Sequence, residues 1–184
     1  MLRRVLLIVM AFSCFTARAQ EEPEGAAGAG SAPKVGYEAG FFLGNLLPNQ
    51  IGGVTEITGL GGVRGGYRFG QTSFLESTFM AGNGHGVEWK NVSASIRMDI
   101  PVENLVALAY VGPDITYYKG ASSSSNRVIF GGHVGGGIQS ALGGITWFRA
   151  DMKFGLSPGT SLYFGMGLVF RIPDGGGGGA GAPN

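Results

Sequence analysis

The last strand-like segment of the chain, residues 161–172, alternates large apolar side chains with small, polar or charged ones. Because successive side chains of a β-strand point to opposite faces, one face of this segment is a continuous apolar stripe. The other face carries glycines and an arginine. The apolar positions are Leu162, Phe164, Met166, Leu168, Phe170 and Ile172.

The same alternation recurs upstream and predicts an all-β protein. It appears about eight times between Val35 and Ile172, and where it is clearest the charged residues share a parity with Gly, Ser and Thr. Eight antiparallel up-and-down strands of about ten residues or slightly more are expected. They cover residues 35–45, 57–69, 73–81, 87–100, 105–118, 128–140, 145–154 and 161–172.

Composition indicates which face of such strands meets water. Of the 184 residues, 44% are hydrophobic and only 14% are charged, whereas ordinary domains carry about 25% charged residues. A membrane barrel fits this shortage, because its apolar side chains face lipid and its polar ones face the lumen. The net charge of +1 gives no electrostatic reason to expect a nucleic-acid partner.

The connections between the predicted strands alternate in length. The longer ones cover residues 46–56, 82–86 and 119–127, and the shorter ones between them cover residues 70–72, 101–104 and 141–144. The seventh connection, residues 156–160, is also short. Longer loops at one end and short turns at the other are typical of transmembrane barrels, and this pattern places both termini on the periplasmic side.

Charged residues give the strictest test of this hypothesis, since Arg or Lys facing lipid at the membrane midplane costs about 2 to 4 kcal/mol. When the large apolar side chains are assigned to lipid, ten charged residues fall on the lumen parity. They are Glu38, Arg64, Arg68, Glu76, Arg97, Asp99, Arg149, Asp151, Lys153 and Arg171. Glu56 and Asp114 are possible additions nearer the outer end. Mixed signs favour a paired structural plug over a selective pore, and an eight-stranded barrel is narrow enough for side chains to fill it.

Two strands depart from a simple assignment. Glu88 and Lys90 share the lipid parity of the fourth strand, but they lie at its outer end, where water reaches them. In the fifth strand both parities are apolar, so its facing stays open. The competing sets are Val106, Leu108 and Tyr110 against Ala107, Ala109 and Val111.

The two ends of the chain lack the alternation. Residues 1–19 have the pattern of a secretory signal, with arginines, a short apolar stretch and a cleavage site near Ala19. The only cysteine, Cys14, lies in that signal, so the mature chain has no disulfide framework. The remaining expected segments are a flexible leader at residues 20–33, the barrel at 34–172 and a Gly-rich disordered tail at 173–184.

The pattern over residues 35–172 resembles the small eight-stranded outer-membrane barrels of the OmpA/OmpX type. Within it, Tyr163, Gly165, Leu168 and Phe170 resemble the barrel-assembly signal: a polar residue, glycine two positions on, and hydrophobic residues five and seven on. The chain departs from the usual form by continuing past this strand. The resemblance implies insertion into the outer membrane of a Gram-negative cell envelope, with membrane lipid and the assembly machinery as partners.

A structural or surface-interaction role is the function expected from this sequence. No His, Cys and carboxylate cluster has metal-ligand spacing, and no Gly-x-Ser-x-Gly elbow appears, so no metal, cofactor or catalytic residue is predicted. The protein is expected to be a monomer and not an enzyme. The least polar loop, with Leu46, Leu47, Pro48 and Ile51, is the expected contact site for a surface ligand.

Two alternatives stay open at this point. One is a lipid A modifying acyltransferase or deacylase of the outer leaflet, for which His85 and the serines of residues 121–126 are the available groups. The other is a soluble periplasmic barrel similar to lipocalins, which binds a lipid inside. That form would place the apolar parity indoors and the charged residues in water.

Overall fold

The computed structural model describes residues 35–49, 57–84, 86–119, 126–156 and 159–173. Its elements are β1 (Val35–Asn49), β2 (Ile57–Arg68), β3 (Ser73–Gly84), β4 (Val87–Val102), β5 (Leu105–Lys119), β6 (Arg127–Gly143), β7 (Thr146–Gly155) and β8 (Thr160–Pro173). Neighbouring strands are antiparallel, and β1 also pairs with β8, which closes the barrel. The predicted all-β, eight-stranded barrel is confirmed. Within these ranges the chain has no helical segment that could serve as a membrane span.

β1 begins and β8 ends at the same end of the barrel, because the number of strands is even. We call it the terminal end and the opposite one the far end. The third connection is shorter than predicted: β3 continues to Gly84 and β4 begins at Val87. Gly86 has a φ of 78°, a left-handed conformation that glycine adopts without a steric penalty. This hairpin is therefore tight, and the longer far-end connections are residues 50–56 and 120–126.

The outward face of the barrel is apolar. Phe130, Leu43 and Met166 have 75%, 67% and 61% of their surface exposed, and the rings of Tyr37 and Tyr67 lie 5.3 Å apart on the outer wall near the terminal end. The charged residues predicted for the lumen have the opposite parity. This polarity is the reverse of what a soluble lipocalin-like barrel requires.

The fifth strand has a defined facing. Leu108 and Tyr110 are buried in the lumen, whereas Val111 is 59% exposed on the outer wall. The neighbouring strand explains this choice, because Tyr110 pairs with Gly135 across the sheet and a Cβ atom on that glycine would overlap the tyrosine ring. Gly135 on β6 has no side chain, and the ring of Tyr110 on β5 occupies the space beside it.

The first predicted loop begins later than expected. β1 continues through Leu46, Leu47 and Pro48, which pair with β8 up to Ser161. Leu46 is buried inside the barrel, with 3% of its surface exposed, so the prediction that it lies on a contact loop is wrong. Leu47 faces outward and Pro48 is half-buried, both on the strand. Ile51 lies outside the described residues.

Candidate functional site

The terminal half of the lumen contains a cluster of buried charges centred on Arg97. Its Nη1 donates to Glu38 Oε2 at 2.7 Å and to Glu76 Oε2 at 2.6 Å, and its Nε donates to Asp99 Oδ1 at 2.7 Å. The guanidinium also lies 4.2 Å from the centre of the Phe74 ring. No part of Arg97 is exposed, so these contacts replace its hydration.

Two carboxylates extend this cluster to further arginines. Glu76 Oε2 accepts from Arg149 Nη1 at 2.5 Å as well as from Arg97, and Asp151 accepts from Arg149 Nε at 2.7 Å and from Arg64 Nη1 at 2.6 Å. The charges therefore alternate in sign along a continuous chain of contacts. Buried ions are stable in such an arrangement because each has opposite charges as neighbours.

Arg171 closes the cluster at the last strand. Its Nε lies 2.9 Å from Glu38 Oε1, its Nη2 donates to Asp99 Oδ2 at 3.0 Å, and Nη2 also donates to Gln139 Oε1. The guanidinium packs on Trp147, 4.0 Å from the ring centre. We call the eight charged residues the ionic network: Glu38, Arg64, Glu76, Arg97, Asp99, Arg149, Asp151 and Arg171.

Two residues predicted for this cluster lie apart from it. Arg68 is at the terminal rim, where its Nε donates to the Gly70 carbonyl at 3.0 Å. Lys153 is buried deeper, and its Nζ reaches the neutral oxygens of Asn91 and Ser93 at 3.2 and 3.4 Å. Neither cation contacts a carboxylate within 4 Å among the residues that the structure describes.

Lys153 belongs to a middle layer of mostly neutral polar groups. Asn91 donates to Thr116 Oγ1 at 2.8 Å, Ser95 Oγ lies 2.9 Å from His133 Nε2, and His133 Nδ1 lies 3.3 Å from Asp114 Oδ2. We call this set the polar layer: Asn91, Ser93, Ser95, Asp114, Thr116, His133 and Lys153. The sequence could have indicated several members, since Asn91, Ser93 and Ser95 share the parity of Arg97.

Apolar side chains fill the lumen at the far end. The rings of Trp89 and Tyr118 stack with centres 5.9 Å apart, and those of Phe42 and Tyr163 meet edge to face at 5.8 Å. We call this cluster the apolar cap: Phe42, Leu46, Leu60, Met80, Val87, Trp89, Tyr118 and Tyr163. The cavity between the cap and Lys153 has only about 10 Å³ open to the centre of a water molecule, which is about the space that one water needs.

The predicted assembly signal lies on β8 with mixed facing. Tyr163 is buried in the apolar cap, and a Cβ atom on Gly165 would overlap its hydroxyl group, so the glycine leaves room for this ring. Phe170 lies on the outer wall, with its ring centre 6.4 Å from that of Phe41. Leu168 shares that outward parity. Two of the four positions thus pack together inside the barrel.

The described lumen residues form neither a metal site nor an accessible catalytic group. Within the described ranges, no three His, Cys, Asp or Glu side chains are grouped to hold a metal ion. Ser95, His133 and Asp114 follow one another in the order of a hydrolase triad, but all three are at least 95% buried between the ionic network and the apolar cap. His85 lies outside the described residues.

Comparison with known proteins identifies the fold and nothing finer. The sequence matches no protein-family model and no curated protein. Among solved structures, the N-terminal β-barrel domain of Pseudomonas aeruginosa OprF aligns with a TM-score of 0.62 at 14% identity, covering 77% of this chain and 100% of that one. Neisserial surface protein A aligns at 0.60 and 11%, covering 74% and 96%. P. aeruginosa outer membrane protein OprG aligns at 0.55 and 10%, covering 77% and 98%. The chain therefore has the closed eight-stranded fold of these small outer-membrane barrels.

Proposed function

We propose that this protein is a barrel of the Gram-negative outer membrane with a structural or surface-interaction role and a closed lumen. The observation that carries the proposal is the polarity of the wall: exposed apolar side chains outside, and a paired ionic network inside. In water, this polarity would leave a large apolar surface exposed. In a bilayer, the same surface contacts lipid chains.

The way in which side chains fill the lumen supports the proposal that it is closed. The ionic network fills the terminal half, and the polar layer lies above it on β4 to β7. The apolar cap fills the far end and meets the network directly where the Arg64 guanidinium lies 4.4 Å from the centre of the Phe42 ring. Among the described residues, the buried lumen charges and Arg171 comprise five cations and five anions: Arg64, Arg97, Arg149, Lys153 and Arg171 against Glu38, Glu76, Asp99, Asp114 and Asp151. A selective pore needs an open path lined by one dominant sign.

The proposed role is not enzymatic. Acyl transfer at the outer leaflet requires a nucleophile and a base within reach of the lipid. Ser95 and His133 do approach each other, but Trp89 and Tyr118 of the apolar cap lie between them and the far end. Ser95 and His133 therefore serve as hydrogen-bonding members of the polar layer.

Insertion and surface contact complete the proposal. The signal peptide is removed near Ala19, and the barrel-assembly machinery recognises the β8 segment with Tyr163 and Phe170. The barrel then acts as a monomer. Any surface contact at the far end of β1 and the connection that follows it uses Leu47, Pro48 and Ile51, since Leu46 packs inside.

Gel mobility and conductance test the proposal together. The protein from a washed outer-membrane fraction should migrate faster unboiled than boiled, because a closed barrel resists detergent. Reconstituted in a planar bilayer, it should give no steady ionic current. A soluble periplasmic protein without a mobility shift would overturn the membrane assignment. A folded barrel with a stable open-channel current would overturn the closed lumen.

A further inference from the structure

On the described strands, the charged side chains of the outer wall lie in one place. Among the described residues, the only charges on the outward parity of the eight strands are Glu88, Lys90 and Lys119. All three lie at the far ends of the neighbouring strands β4 and β5. We call them the rim patch. Their confinement sets this part of the far end apart from the rest of the outer wall.

Cross-strand pairing orders the chemistry of the rim patch into three rows. Val92 pairs with Ile115, and these side chains are 52% and 44% exposed. The next row towards the far end pairs Lys90 with Tyr117, and the last pairs Glu88 with Lys119. The wall thus changes over three rows from apolar, through an amine beside an aromatic ring, to fully charged.

Contacts within the rim patch orient one amine and leave the other without an anion. Lys90 Nζ lies 2.5 Å from Glu88 Oε1 and 5.4 Å from the centre of the Tyr117 ring, and the two charged side chains are 48% and 44% exposed. Lys119 is exposed and makes no ion pair within the described ranges. One carboxylate cannot balance two amines, so the patch has a net positive charge.

We propose that Lys90 and Lys119 bind the phosphate of a membrane lipid in the leaflet at the far end. Acyl chains that cover Val92 and Ile115 end where the wall becomes charged, so the headgroup lies level with the two amines. Lysine suits this position because its stem packs on apolar surface while its amine reaches the interface. Tyr117 has the amphipathic character that aromatic residues show at this depth. The inference rests on the proposed membrane location.

Binding of a fluorescent lipid phosphate tests this site. Dansyl-labelled phosphatidic acid is titrated into the folded barrel in zwitterionic micelles at low salt, and energy transfer from the tryptophans reports binding. An amine at an anionic surface contributes about fivefold in affinity. Lys90→Gln and Lys119→Gln should each weaken binding by about that factor, and together by roughly 25-fold. Glu88→Gln should tighten binding, because it removes the competing anion.

Control variants distinguish lipid binding at the rim patch from binding elsewhere on the barrel. Arg68→Gln removes the same charge at the terminal rim and should leave the affinity unchanged. The inference fails if the double variant binds within twofold of the unmodified protein, if Arg68→Gln causes an equal loss, or if inorganic phosphate displaces the lipid completely. The mobility shift of each variant shows whether the barrel is folded. A folded membrane barrel without lipid selectivity would contradict only this inference, whereas loss of membrane location would contradict the proposed function.

Discussion

The two halves of the lumen are stabilised in different ways. In the ionic network, every charged side chain lies within 3.0 Å of an opposite charge, as Arg64 does with Asp151 and Arg171 with Glu38. At the far end, the apolar cap is stabilised by packing, and the polar layer beneath it is loosely paired. The carboxylate of Asp114 has no Lys or Arg within 4 Å among the described residues, and its Oδ2 lies 3.3 Å from His133 Nδ1.

This difference determines how each half responds to substitution. A buried charge that loses its partners cannot recover its hydration, so each member of the ionic network depends on the others. A cap residue loses only its own packing and leaves a cavity of its own size. Replacing a polar residue that makes only weak contacts should change the free energy of unfolding little. Substitutions in the three layers should therefore give three distinct sizes of effect.

Removing the centre of the ionic network should have the largest effect. Arg97→Met leaves Glu38, Glu76 and Asp99 close together without the guanidinium that they share. We expect the free energy of unfolding, measured by denaturant titration in lipid vesicles, to fall by about 3 to 5 kcal/mol. The matched control is Arg68→Met at the terminal rim, where the change should stay within about 0.5 kcal/mol. Equal losses in the two variants would show that the network is not cooperative.

A cavity in the apolar cap should have the second largest effect. Leu60 has no exposed surface, and Leu60→Ala should lower the free energy of unfolding by about 2 to 4 kcal/mol in the same assay. Leu43 is 67% exposed on the outer wall, so Leu43→Ala should cost less, because lipid chains fill the space. If both variants lost the same stability, the cap would not be a packed core.

The sequence predicted the position of the charges better than their pairing. Strand parity was enough to place Glu38 and Arg97 inside, because alternation is a local property of each strand. Their contact joins residues 59 positions apart on β1 and β4, which are not neighbours in the sheet. It depends on how the barrel closes, and the pattern of one strand does not contain that information.

Two further points also needed the neighbouring strands. The facing of β5 was open because both its parities are apolar, and the glycine opposite Tyr110 on β6 decides it. The first loop was predicted to begin at Leu46, directly after the strand expected over residues 35–45. β8 extends far enough to pair with these residues, so the partner strand sets the length of β1.

The smallest effect is expected in the polar layer, at Lys153. Its amine meets the neutral oxygens of Asn91 and Ser93, and methionine has a similar length and volume, so Lys153→Met removes no ion pair. The free energy of unfolding should change by less than about 1 kcal/mol, in contrast with Arg97→Met.

A water-mediated contact between Lys153 and Asp114 would contradict this prediction, because both residues line the same small cavity. If a water molecule in that cavity joined the two charges, Lys153→Met would lose several kcal/mol, and adding Asp114→Asn would restore most of the loss. A small effect of Lys153→Met, unchanged by Asp114→Asn, would show that the network of paired charges ends below the polar layer.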